Sequence, residues 1–128
     1  MTLKVGDMIT FQRTFTERDV ELFTELSGDE GIHHITPDKQ GRVVVQGLLT
    51  ATLPTKVGGD NNVLARNMVF EFLRPVFTGD TISCEVIIEQ YESQEKNRTA
   101  ILATFSCRNQ NEKEVLKGSF SGVILQQN

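Results

Sequence analysis

Gln46-Gly47-Leu48-Leu49-Thr50-Ala51-Thr52-Leu53 is apolar almost all round, and no charge follows until Lys56. A helix of this character is normally buried rather than laid on a surface. Pro54 removes a backbone donor within it and predicts a kink or an early end. Gly58-Gly59-Asp60-Asn61-Asn62 then reads as a turn. Beyond it the apolar period changes to two. Met68, Phe70 and Phe72 alternate with Val69 and Glu71, and Ile82, Cys84, Val86 and Ile88 with Ser83, Glu85 and Ile87. Ile101, Ala103, Phe105 and Cys107 form a third set, and Leu116, Phe120 and Ile124 share one parity of a fourth. Turns separate them at Pro75 to Gly79-Asp80, at Glu92 to Asn97 and at Asn109-Gln110-Asn111. Four consecutive strands with short connections imply an antiparallel sheet, on which the apolar helix must pack.

Upstream, Ile9, Phe11 and Phe15 read as a first strand. Thr16 and Asp19 are spaced as a capping-box-like pair, and Phe15 and Val20 as a hydrophobic staple across it. Val20, Phe23 and Leu26, with Leu22, predict one apolar face of a helix that runs to about Leu26 or Ser27, where Gly28 stops it. The stretch from Asp29 to Arg42 is polar, contains Pro37 and Gly41, and reads as an irregular loop. One strand, helices and four further strands make an α+β fold. Its 128 residues suit a single domain spanning 1–128.

A hydrophobic content of 38% with 23% charged residues is that of a soluble globular chain. A net charge of −4 argues against nucleic acid or an anionic membrane as a partner. With no membrane-length apolar run and no signal-peptide pattern, the expected compartment is the cytoplasm. Cys84 and Cys107 show no metal spacing and sit among alternating apolar residues, as reduced core thiols do.

Few groups in the chain are suited to chemistry, and they concentrate in Ser27-Gly28-Asp29-Glu30-Gly31-Ile32-His33-His34. A carboxylate and an imidazole are the side chains best able to move protons near neutral pH. In an extended loop His33 and His34 point to opposite sides, so only one faces Asp29. Adjacent histidines rarely reach one ion, and no further ligand stands at zinc spacing, so no metal is expected.

In this order of elements the chain resembles the MaoC-like (R)-specific enoyl-CoA hydratases of the hotdog fold. Three motifs carry the resemblance. They are Phe15-Thr16-x-x-Asp19-Val20-x-x-Phe23 running into Ser27-Gly28-Asp29 and His34, then Gly47-Leu48-Leu49, then Phe70-x-Phe72-x-Arg74-Pro75-Val76-x-x-Gly79-Asp80-Thr81. The resemblance implies an antiparallel sheet of about five strands wrapped around a buried central helix. It implies hydration of a trans-2-enoyl thioester to an (R)-3-hydroxyacyl thioester, carried on CoA or on acyl carrier protein. Asp29 and His34 would hold and deprotonate water, and the Gly47 amide would polarise the thioester carbonyl.

Ser27, Gly31, His33, Gln46, Leu48 and Thr52 are expected on the substrate side. For His33 a structural role is equally open. Gln46 either lines the pocket or hydrogen-bonds the entering loop, and Thr52 falls near the acyl end. Arg74, Lys56 and Arg66 are weaker candidates for phosphate contacts. The family's Asn-Pro after the aspartate is replaced by Gly31-Ile32, and its histidine before the helix glycine by Gln46. The resemblance also implies a homodimer and no cofactor. The alternatives are a non-catalytic acyl-CoA-binding hotdog protein, or a subunit of a hydratase complex. A hotdog thioesterase is disfavoured, because the run from Gly47 to Lys56 has no carboxylate.

Overall fold

A computed structural model of the chain describes residues 3–125. The ends of the expected 1–128 domain, residues 1–2 and 126–128, lie outside the described residues. The elements run β1 (Met8–Thr14), α1 (Glu17–Ser27), α2 (Ile32–Ile35), α3 (Gly47–Thr50), α4 (Thr52–Asp60), β2 (Val63–Phe72), β3 (Thr81–Gln94), β4 (Arg98–Arg108) and β5 (Glu114–Leu125). All five strands form one antiparallel sheet in the order β1-β3-β4-β5-β2. Short hairpins place β3, β4 and β5 side by side in the centre, and β1 and β2 take the two edges.

The period of two settles which face is buried. Ile82, Cys84, Val86 and Ile88 of β3 are fully buried, and Ile101, Ala103, Phe105 and Cys107 of β4 nearly so. Register pairs Cys84 with Cys107, Val86 with Phe105 and Ile88 with Ala103, so both sets point to the same side. Both cysteines are free and buried. The facing Cys107 thiol, then burial, push the Cys84 thiol far above its usual range, so it stays protonated and behaves as a small apolar group.

Against this face lie α3 and α4. Leu49, Thr50, Leu53, Pro54 and Val57 are buried, whereas Leu48, Thr52, Thr55 and Lys56 are exposed. The expected central helix thus packs on the sheet through one stripe, and in the single chain its other stripe faces outward. The helix is interrupted at Ala51, whose N–H donates to both Gly47 O and Leu49 O. Pro54 explains the break, since its ring crowds the carbonyl four residues earlier, that of Thr50. The chain then resumes helix through Gly58 and Gly59 to Asp60, so the turn expected at 58–62 shrinks to Asn61-Asn62. Asn62 takes the left-handed conformation there, with φ 58°.

Helix α1 begins as its sequence dictates. The Thr16 hydroxyl accepts from Asp19 N–H at 3.2 Å, and the Asp19 carboxylate accepts from Thr16 N–H at 3.0 Å. Burial alone would raise the Asp19 carboxyl; hydrogen bonds from Thr16 and the Arg13 guanidinium outweigh it and hold the group below its usual pKa. Gly28 ends the helix at φ 74°. The expected apolar face is only partly used. Val20 is buried and Phe23 half-buried, but Leu22 is 47% and Leu26 84% exposed. Leu26 in the last turn is therefore left largely open to solvent.

Candidate active site

The stretch expected as irregular loop contains the short helix α2, and this turn organises the site. Ser27 Oγ accepts from Asp29 N–H at 3.0 Å, and Asp29 Oδ1 accepts from Gly31 N–H at 3.3 Å. One carboxylate oxygen thus closes an Asx-type turn. The other, Oδ2, faces His34 Nε2 at 3.6 Å. The opposite ring nitrogen, Nδ1, lies 2.6 Å from the Val44 carbonyl oxygen. A carbonyl only accepts, so Nδ1 carries the proton, and in the neutral ring Nε2 is left with a free lone pair. Val44 also donates its own N–H to His33 O at 2.9 Å. Two bonds from one residue therefore clamp α2.

Consecutive side chains on a helical turn diverge by about 100°. The two imidazoles differ in exposure for this reason, and not through the extended alternation expected for a loop, although their rings stay in contact. His34 is buried, whereas His33 is exposed, with ring centroids 3.9 Å apart and planes tilted by 54°. Gly31 makes room for them, because an added Cβ there would stand 2.9 Å from His33 Cε1 and 3.2 Å from His34 Cδ2.

The segment that leads into α3 is tied to the connection before β3. Val45 N–H donates to Val76 O at 2.7 Å, and Thr78 N–H to Val43 O at 3.0 Å. This tie brings the start of α3 against the end of β2 and the start of β5. Between them lies a cleft of about 300 Å³. His33 and His34 form one wall, Gly47 and Thr50 the helix side, and Phe72, Arg74 and Val115 stand among the residues on the far side. The N–H of Gly47 is the first of α3, a position at which a helix has no internal acceptor for it. The Thr50 hydroxyl is buried without a hydrogen-bond partner among the described residues.

The structure brings together Asp29, His34, His33, Gly31 and Gly47, with Ser27 bracing the turn. It separates three other expected residues from the cleft. Gln46 is fully buried and donates from Nε2 to Thr24 Oγ1 at 2.8 Å, a brace between α3 and α1. Leu48 is exposed on the outer stripe of the helix, where the helical period turns it away from Gly47. Thr52 is likewise exposed and donates its hydroxyl to Leu49 O at 2.6 Å; Thr50, half a turn earlier, takes the position in the cleft wall. Arg74 is exposed and donates to Glu114 O at 2.6 Å. Thr50 and Val115 were not marked by sequence, and Phe72 was marked only as part of a strand motif. Each looks like an ordinary core or strand residue, and only the close approach of β2, β5 and α3 gathers them. Among the described residues no group of three His, Cys, Asp or Glu could hold a metal ion. No helix among them is long and apolar enough to cross a membrane.

The chain matches no protein-family model and no curated protein. Among solved structures, the (R)-hydratase from A. caviae involved in PHA biosynthesis is similar to it, with a TM-score of 0.82 and 24% identity over 98% of each chain. R-hydratase PhaJ1 from Pseudomonas aeruginosa matches with a TM-score of 0.81 and 22% identity, over 98% of this chain and 84% of that one. The MaoC-like dehydratase from Rhodospirillum rubrum matches with a TM-score of 0.76 and 14% identity, over 98% and 95%. The chain has the hotdog fold, an antiparallel five-stranded sheet packed on a central helix, and its structural neighbours are MaoC-like (R)-hydratases and dehydratases.

Proposed function

We propose that this protein is a hydratase or dehydratase of acyl thioesters, converting a trans-2-enoyl thioester and water into an (R)-3-hydroxyacyl thioester. The observation that carries the reading is the Asp29–His34 pair beside the cleft, with the imidazole tautomer set by Val44. With Nδ1–H committed to a carbonyl, a water about 2.8 Å from both Nε2 and Oδ2 can donate one proton to each. Its lone pair is then directed away from both, toward a bound substrate.

In the forward reaction the water oxygen bonds to C3 of the enoyl group while Asp29 accepts the departing proton. The π electrons move toward the thioester carbonyl. The Gly47 N–H, at a helix start where the backbone dipole favours negative charge, stabilises the enolate oxygen. The proton returns to C2 through the Asp29–His34 pair, which restores the catalyst. Dehydration is the reverse. The neighbours named as (R)-hydratases support this class of reaction and the stereochemistry proposed for it.

The substrate is carried as a thioester on CoA or on acyl carrier protein. A homodimer fits the exposed apolar residues Leu64, Met68 and Val69 on the edge strand β2, which an uncovered sheet edge leaves open to pairing. Light scattering on a sizing column should then give twice the chain mass, and a monomer alone would contradict it. For the chemistry, Asp29→Asn should abolish hydration of crotonyl-CoA, followed by loss of the conjugated-thioester absorbance, while the far-UV spectrum stays native. An Asn variant with full activity would sink the assignment.

A further inference from the structure

We propose that Phe72 sets the acyl-chain length the cleft accepts, and that the site takes short-chain thioesters. The inference rests on the reading of this cleft as an enoyl-thioester site. Phe72 is the last residue of β2 and shares a face with Phe70, whose ring centroid is 6.1 Å away. Phe70 in turn packs 5.8 Å from Phe105, a buried core residue. This row of aromatic contacts places the Phe72 ring along the cleft wall, with 52% of the residue exposed.

The ring lies over the face of Gly47 from which a side chain would project. A Cβ there would stand 2.9 Å from Phe72 Cε1 and 3.2 Å from Cδ1 and Cζ. Phe72 therefore stands directly beside the amide proposed to hold the thioester oxygen, and an acyl chain attached at that carbonyl must pass it. The rest of the apolar lining is aliphatic, with Val45, Leu73, Val76 and Val115 among it. Phe72 is the one benzyl ring among the residues that line the cleft, so its truncation should widen the wall beside Gly47.

The test compares wild type, Phe72→Ala and Phe72→Leu with crotonyl-CoA and trans-2-octenoyl-CoA as substrates. Butyryl-CoA and octanoyl-CoA serve as ligands in calorimetry. Wild type should favour the four-carbon compounds by at least about tenfold, and Phe72→Ala should shift the ratio by at least about tenfold toward eight carbons. Phe72→Leu should fall between, and it keeps the test alive if the alanine variant folds poorly. Hydration with an unchanged chain-length ratio overturns the inference and leaves the hydratase reading standing. A shifted binding ratio without hydration by wild type supports the inference and overturns the hydratase reading. Failure of wild type to bind either chain length, whether on CoA or on acyl carrier protein, overturns both.

Discussion

Gly47→Ala is the substitution that probes the cleft most directly. The added methyl carbon would stand 2.9 Å from Phe72 Cε1, whereas carbon atoms pack at about 3.5–4.0 Å. The ring must therefore retreat by about 0.6–1.1 Å. Half of Phe72 is exposed, so it has room to do so, and the cost falls at the low end of the ~1–3 kcal/mol typical of overpacking. Alanine recovers part of this because it is a better helix former than glycine by up to about 1 kcal/mol. The net loss of stability should be about 0–1 kcal/mol, or a few degrees in Tm for a chain of this size.

Activity should suffer far more. The methyl group and the displaced ring shift the bound carbonyl by about 1 Å from the amide, a misplacement of the kind that costs about 100-fold in rate. The assay is kcat/KM for crotonyl-CoA alongside thermal melts, in the wild-type and Phe72→Ala backgrounds. Without the ring, Gly47→Ala should no longer destabilise the fold. A loss of activity under about threefold, or an equal stability penalty in both backgrounds, refutes the reasoning.

Two other substitutions probe the scaffold. Asp19→Asn keeps an oxygen that can accept from Thr16 N–H but removes the negative charge that meets Arg13 and the start of α1, and it should cost about 0.5–1 kcal/mol near neutral pH, measured by urea unfolding. The folded-state pKa of Asp19 is lowered, so its stabilisation is complete above the unfolded value of about 3.9 and is lost as pH falls through the lower folded value. The gap in Tm between wild type and Asp19→Asn should accordingly close below about pH 4, and a gap that widens there contradicts the role. Gly118→Ala drives a Cβ into the Val69 carbonyl oxygen and the Phe105 ring, so β2 must part from β5. A loss above about 3 kcal/mol is expected, and a near-neutral effect would show the two strands to be further apart.

Much of the architecture was legible because it follows from local rules. The alternation in Ile82–Ile88 and Ile101–Cys107 gave the buried face, and Thr16, Asp19 and Gly28 marked both ends of α1. The outer stripe of the central helix was not legible, since a run of small apolar residues looks equally buried on every side. The helical character of Gly58 and Gly59 was hidden for the opposite reason, because two glycines followed by Asp-Asn-Asn carry a strong turn preference that the preceding helix overrides.

The same division runs through the candidate site. The sequence by itself determined which groups with useful chemistry exist, namely Asp29, His33 and His34, and that a glycine opens the central helix. Only the tertiary structure decided how they are presented. The Val44 carbonyl 2.6 Å from Nδ1 selects the tautomer of His34, and Val44 is brought there by its segment's ladder with residues 76–78. Phe72 and Thr50 enter the cleft because β2 and α3 approach closely, an approach that Gly47 permits by having no side chain. Side-chain type is a local property, but tautomer, exposure and the contents of a cleft depend on backbone groups far away in the chain.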